Sequence, residues 1–220
     1  MIPKIFHSVW VGPNPMPKQH EAWRETWKDN HPDWEFRLWT DRTLPPDLPD
    51  GYGHCKTWSE KSDFIRHRVL SDFGGVYIDT DFECLRPIDK LLAGIDYFAC
   101  SENGRHISVG IVGAVPNHPV SEFINDRLRN HWLDLGDASK NSGPQFVTRV
   151  LRSRPDLLQQ VHIFPTPYFY PFGFADRLPE NYRDKYRSEG SYGVHHWAWS
   201  WKPEGTRRPK PRGQRRRRKQ

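Results

Sequence analysis

Asp79 and Asp81 are two carboxylates with one threonine between them. They follow directly on Val76, Tyr77 and Ile78, a run of strand-forming residues introduced by Gly74-Gly75. Side chains at i and i+2 of an extended segment point the same way. Two carboxylates that converge on one point repel each other unless a cation lies between them. The pair therefore suits a hard divalent ion, Mg²⁺ or Mn²⁺, held through oxygen. Such an ion takes few protein ligands and completes its shell with water and phosphate oxygens. The chemistry expected is a metal gripping a phosphate-bearing substrate. A lone Asp-x-Asp is more often a solvated turn; the strand and paired glycines in front of it set this copy apart.

A helix must deliver the chain to that strand. The stretch KSDFIRHRVLSDFGG carries Phe64, Ile65, Val69, Leu70 and Phe73 on an apolar face. Ser59 is placed to cap it, and Gly74 to end it. Asp63 and Arg66 fall at i and i+3 on one side of the helix. The plain reading of such a pair is a surface ion pair worth about 0–1 kcal/mol. Because the helix runs straight into the carboxylate strand, its polar edge is also placed to line the same cleft.

Around this pair the pattern predicts strands over residues 3–11, 34–39, 76–78, 97–100, 107–115 and 161–164. Helices are expected over 17–30, 59–73, 120–133 and 143–152, and 43–53 reads as loop. Strands alternating with helices predict an α/β fold with a mostly parallel central sheet and flanking helices. In such sheets ligands collect beyond the carboxyl ends of the strands, where Asp79 and Asp81 stand. The sequence holds no internal repeat. One domain over 1–203 and a tail over 204–220 are expected.

Composition narrows the function classes. Ten Trp, 12 Phe and eight Tyr among 220 residues supply a core and leave aromatic surfaces for planar ligands. No apolar run approaches the roughly 20 residues of a membrane span. MIPKIFHSVWVGP reads as a first strand rather than a secretory signal. Three cysteines, Cys55, Cys84 and Cys100, with no CxxC spacing, suggest reduced thiols in the cytoplasm and no zinc module. Of 33 basic residues, nine fall in 207–220; the other 24 face 27 acidic ones, so the body carries about −3. The tail, RRPKPRGQRRRRKQ, reads as disordered. It is suited to an anionic membrane surface, which makes a peripheral membrane position a further expectation. No specific nucleic acid is expected as a partner.

The stretch SDFIRHRVLSDFGGVYIDTDFECLRPID resembles the signature of the DXD-motif sugar-nucleotide glycosyltransferases. That family includes capsular polysaccharide glycosyltransferases, initiating mannosyltransferases and, distantly, clostridial glucosylating toxins. The shared positions are Ser62, Asp63, Arg66, Gly74, Gly75, Tyr77, Asp79 and Asp81. IPKIFHSVWVG resembles the family's opening strand, and HHWAWSW its terminal H-x-x-x-S-W element. The resemblance implies a single-domain GT-A fold, a nucleotide-sugar donor with UDP or GDP, Mn²⁺ or Mg²⁺, and retention at the anomeric carbon. It implies a saccharide or lipid-linked acceptor and a place in polysaccharide biosynthesis.

By the same resemblance Asp81 binds the metal and Asp79 the metal's shell or the donor ribose. Asp63 and Arg66 hold donor hydroxyls, and Trp10 stacks on the base. His196 is a metal ligand, while Ser200 and Trp201 touch the donor phosphates. His195 offers a second register for the same ligand. Gln145, in NSGPQF, is a further candidate near the reaction centre. The aromatic run Phe164–Phe174 is a candidate acceptor wall. Two rivals stand beside this reading: a metal-dependent phosphoesterase, and a non-catalytic protein that binds nucleic acid or anionic surfaces through the tail.

Overall fold

A computed structural model describes residues 1–130 and 135–198. In chain order the elements are β1 (Ile5–Val9), α1 (Lys18–Asn30), β2 (Glu35–Trp39), α2 (Trp58–Phe73), β3 (Gly75–Ile78) and β4 (Phe82–Cys84). Then come β5 (Tyr97–Glu102), β6 (His106–Ala114), α3 (Pro119–Asn130), α4 (Ala138–Asn141), α5 (Pro144–Arg152) and α6 (Pro155–Leu158). β7 (His162–Phe164), α7 (Tyr182–Ser188) and β8 (Gly193–His195) complete them.

Six strands form one sheet in the order β2-β1-β3-β6-β5-β7. β6 pairs antiparallel with β3 and β5; β1–β2, β1–β3 and β5–β7 are parallel. The expected α/β fold with a mostly parallel sheet is thus present, with β6 as the one reversed strand.

The sheet is buried on both faces because its strands alternate between two apolar layers. Val76 and Ile78 join Phe6, Trp27, Trp34 and Phe82 on one face. Tyr77 points the other way, among Phe64, Ile65, Leu70 and Val147 beneath α2 and α5. Successive residues of β3 therefore anchor opposite layers, which fixes the strand in rotation as well as in position.

β1 lies between β2 and β3, so the chain leaves it in one direction and returns on its other side. This is a topological switch point, where a crevice opens beyond the strand ends. Trp10 follows β1 and Asp79 follows β3, so both come to that crevice.

Four local readings are corrected. The cap of α2 is Thr57, not Ser59: Thr57 Oγ1 accepts from Glu60 N–H, and the Glu60 carboxylate accepts from Thr57 N–H. Residues 43–53 are not all loop, since Asp50–His54 form a 3₁₀ turn. Asp79-Thr80-Asp81 is not extended; Phe82 N–H donates to Asp79 O at 3.1 Å and closes a tight turn. β4 and β8, paired with each other in a small antiparallel sheet, were not expected. Gly74 ends α2 as expected, at φ 62°. Among the described residues all three cysteines are free, and no helix is long and apolar enough to cross a membrane. The expected boundary at residue 203 and the basic tail lie outside the described residues.

Candidate active site

The crevice is a cavity of about 560 Å³ whose walls include Trp10, Asp63, Arg66, Asp79, Asp81 and His195. Its rim on the β1 side is held by Gly12 N–H donating to Asp41 Oδ2 at 2.8 Å. Trp10 stands on that rim. Its Nε1–H donates to Asn14 O at 2.8 Å, and its ring meets His20 edge-on at 5.3 Å. Gly110, on β6, leaves the floor clear: a Cβ there would lie 2.9 Å from Asp79 Oδ2 and 2.7 Å from the Tyr170 hydroxyl.

Asp79 and Tyr77 share the face of β3 that looks at α2, so Asp79 meets the helix's polar edge. Arg66 Nη2 donates to Asp79 Oδ1 at 2.8 Å and Nη1 to Asp63 Oδ1 at 2.7 Å. The guanidinium lies 4.2 Å over the Tyr77 ring, whose hydroxyl also reaches Asp79 Oδ1 at 2.8 Å. Ser142 Oγ donates to the other oxygen of Asp63 at 2.8 Å. One arginine thus bridges two carboxylates, and its side chain is only 4% exposed. Burial raises the Asp79 pKa, helped by the Asp81 charge and opposed by Arg66.

Asp63 is pushed up to about 6 by burial, against the pull of Arg66 and the Ser142 hydrogen bond. A carboxyl that binds its proton more tightly when folded stabilises the protein while protonated. That contribution is lost as pH rises from about 4 through 6, on the order of 3 kcal/mol. Asp63→Asn should flatten this window. In urea unfolding, the stability of wild type minus variant is expected to fall by that amount between pH 4 and pH 7. A difference that stays constant across the window would contradict the assignment.

Asp81 points across the turn to the C-terminal segment. Its Oδ1 lies 3.1 Å from His195 Nε2, and its Oδ2 accepts from Ala198 N–H at 2.8 Å. Burial opposes its charge, but His195 and the Ala198 N–H outweigh this and hold its pKa well below the ordinary range. Trp197 sits at φ 53°, a left-handed backbone unusual for a bulky side chain, and this turns Ala198 N–H toward Asp81.

Asp79, Asp81 and His195 each offer a ligand atom, all within 4.8 Å of one another. An octahedral ion at about 2.1 Å places its ligands roughly 3–4.2 Å apart, so a group spread over up to 4.8 Å needs a side-chain shift of about half an ångström to close on it. Among the described residues Asp79 Oδ2 receives no hydrogen bond and the buried His195 Nδ1 has no hydrogen-bond partner. Two carboxylates and one imidazole are a donor set for a divalent cation, with the oxygens favouring a hard ion. The donor set therefore fits the ion expected from the sequence.

His196 points away from this group, with Nε2 2.8 Å from Glu83 Oε2. Ser200 and Trp201 lie outside the described residues. The cavity reaches Gly143 and Pro144 but not Gln145. Phe164 and Phe169 belong to the core, whereas Tyr170 lines the cavity and Phe174 is 53% exposed. Sequence reasoning missed Ser142 and Glu83. Each gains its place through contacts far along the chain, and neither carries a local pattern.

Residues 17–97 match a family model described as a glycosyltransferase sugar-binding region containing a DXD motif. The chain is 30% identical over 161 residues to mannosyl phosphorylinositol ceramide synthase CSH1 of Saccharomyces cerevisiae, covering 68% of this chain and 42% of that protein. The chain thus spans less than half the length of that relative. It is 24% identical to an uncharacterized glycosyltransferase of Acanthamoeba polyphaga mimivirus, covering 92% of this chain and 85% of the viral one. A solved structure named PaToxG Glycosyltransferase superimposes with a TM-score of 0.56 at 15% identity, over 72% of this chain and 73% of that one. At that identity the likeness is one of fold, and the fold is GT-A.

Proposed function

We propose that this chain, whose residues 17–97 match the glycosyltransferase sugar-binding region containing a DXD motif, is a glycosyltransferase that moves a hexose from a UDP- or GDP-sugar to a saccharide or lipid-linked acceptor. The observation that carries the reading is the Asp79–Asp81–His195 group at the floor of a cavity large enough for such a donor. The mannosyl-transferring name of the yeast relative supports a mannose donor within that class.

In this reading Asp79, Asp81 and His195 hold Mn²⁺ or Mg²⁺. When bound, the cation stabilises charge on the departing diphosphate as a Lewis acid. The chain's own residues prepare that event. Arg66 and Tyr77 fix Asp79 Oδ1, which leaves Oδ2 for the cation. Ala198 N–H fixes Asp81 Oδ2. Arg66 gives Nη1 to Asp63 and Nη2 to Asp79 and the Tyr77 hydroxyl, and Asp63 accepts from Arg66 and Ser142. They act chiefly as positioning residues, with donor hydroxyls meeting the cavity side of Asp63. Ser200 and Trp201 are assigned to the donor phosphates by the family resemblance. Retention follows from attack on the face the diphosphate leaves, with the departing phosphate taking the acceptor's hydroxyl proton. The domain is taken to end near residue 203. The tail then docks on anionic headgroups at the cytoplasmic side of a membrane.

A thermal-shift screen of UDP- and GDP-sugars, with and without Mn²⁺, tests this. A donor at about 100 times its Kd adds roughly 2.7 kcal/mol, or about 5–10 °C in Tm for a chain of this size. The rise is expected for one nucleotide class and only with the metal present. No shift with any donor would sink the proposal. Trp10→Ala should raise the donor KM about 10-fold with kcat little changed, because stacking on a base serves ground and transition states alike. A fall in kcat at constant KM would count against stacking.

A further inference from the structure

We propose that Glu83 is a positioning residue that sets the register of the C-terminal strand, so that His195 and not its neighbour His196 meets Asp79 and Asp81. The proposal rests on the metal reading given above.

Two consecutive histidines in a strand point to opposite faces, and a slip of one residue exchanges them. The backbone alone resists that slip weakly. β8 has three residues, and its ladder with β4 consists of Phe82↔His195, Glu83↔Val194 and Cys84↔Gly193. One further hydrogen bond, His196 N–H to Asp81 O at 2.9 Å, extends it.

The side chain of His196 supplies the missing specificity. Its Nε2 meets Glu83 Oε2 at 2.8 Å. Its ring stacks on Trp23 of α1 with centroids 4.1 Å apart and planes at 10°. Glu83 in turn accepts from the Tyr182 hydroxyl at 2.6 Å and from Arg183 Nε, both on α7. The two side chains are 2% and 7% exposed for Glu83 and His196. In the slipped register His196 would leave this socket and Glu83 would keep a buried charge short of one partner, which is costly. The correct register costs something too, since Trp197 takes a left-handed backbone. Such a residue persists only where its surroundings over-determine it. Here the Glu83–His196 contact holds one side, and Trp197 Nε1–H donating to Phe172 O at 3.1 Å holds the other.

The test is a cycle of variants on the full chain, titrated with Mn²⁺ alone while free Mn²⁺ is read by electron paramagnetic resonance. Loss of a direct ligand in His195→Ala should weaken binding about 100-fold, and loss of the supporting group in Glu83→Ala about 10-fold. If Glu83 acts through register, the double variant Glu83→Ala/His195→Ala should bind no more weakly than His195→Ala alone. A strand freed to slip can offer His196 in place of the missing ligand. A purely structural role would multiply the two losses, to about 1,000-fold. Multiplied losses, or Glu83→Ala binding like wild type, would overturn the proposal. Should Glu83→Ala fail to fold, Glu83→Gln keeps the volume and an acceptor oxygen, and the same cycle is read with it. If His195→Ala itself binds Mn²⁺ like wild type, the metal reading falls. If His195→Ala weakens binding but neither Glu83 variant does, the register proposal alone falls.

Discussion

Asp81→Ala is expected to abolish Mn²⁺-dependent transfer, with kcat/KM down at least about 10³-fold, or roughly 4 kcal/mol of transition-state stabilisation. The side chain does two things that alanine cannot. One oxygen faces His195 Nε2 at 3.1 Å and the other receives Ala198 N–H at 2.8 Å, so it joins the cation corner to the C-terminal segment. The variant also leaves His195 and the Ala198 N–H without their carboxylate, so the apo Tm should fall even though a like-charge contact with Asp79 is relieved. The metal role is read below that Tm, in the folded variant, as no Mn²⁺-dependent thermal shift and no turnover. Wild type in EDTA should behave in the same way. Full activity in the variant, or in wild type with the metal stripped, would remove the metal from the mechanism.

What the sequence made legible was local. Asp79 and Asp81 could be picked out because Gly74-Gly75 and a strand precede them, and Gly74 ends the helix as its position predicts. The apolar face of α2 is written at helical spacing and packs as expected. What stayed hidden depends on contacts across the chain. β4 and β8 are three residues each and pair across more than a hundred positions, so neither shows a strand period of its own. The turn at Asp79–Phe82 looks extended in sequence because the strand Val76–Ile78 runs directly into it, although its two aspartates are themselves turn formers. His195 and His196 are equivalent in one dimension; the contacts of Glu83, Trp23 and Tyr182 distinguish them only after folding. Ser142 reaches Asp63 from 79 residues away, and no spacing announces that. Aromatic richness was legible, but its use was not. Much of the run Phe164–Phe174 is spent on the core, with Phe169 wholly buried.

Arg66→Ala should be the most destabilising single change in the site. The guanidinium bridges Asp63 and Asp79 at 2.7 and 2.8 Å and is itself nearly sealed from solvent. Removing it strands the buried Asp63 carboxylate and leaves the half-buried Asp79 without its guanidinium, and breaking a buried pair costs about 3–5 kcal/mol. For a chain of this length that is a fall in Tm of roughly 6–20 °C. Activity should fall as well, because Asp79 Oδ1 then loses the group that keeps Oδ2 aimed at the cation. Arg66→Lys is not expected to rescue either property. A lysine ammonium is a single point of charge and cannot span both carboxylates while lying over the Tyr77 ring. The stranded-charge account makes one further demand. Adding Asp63→Asn to Arg66→Ala removes one of the two orphaned charges and should recover part of the lost stability. If the double variant is no more stable than Arg66→Ala, the cost lies in packing against Tyr77 and not in the bridge.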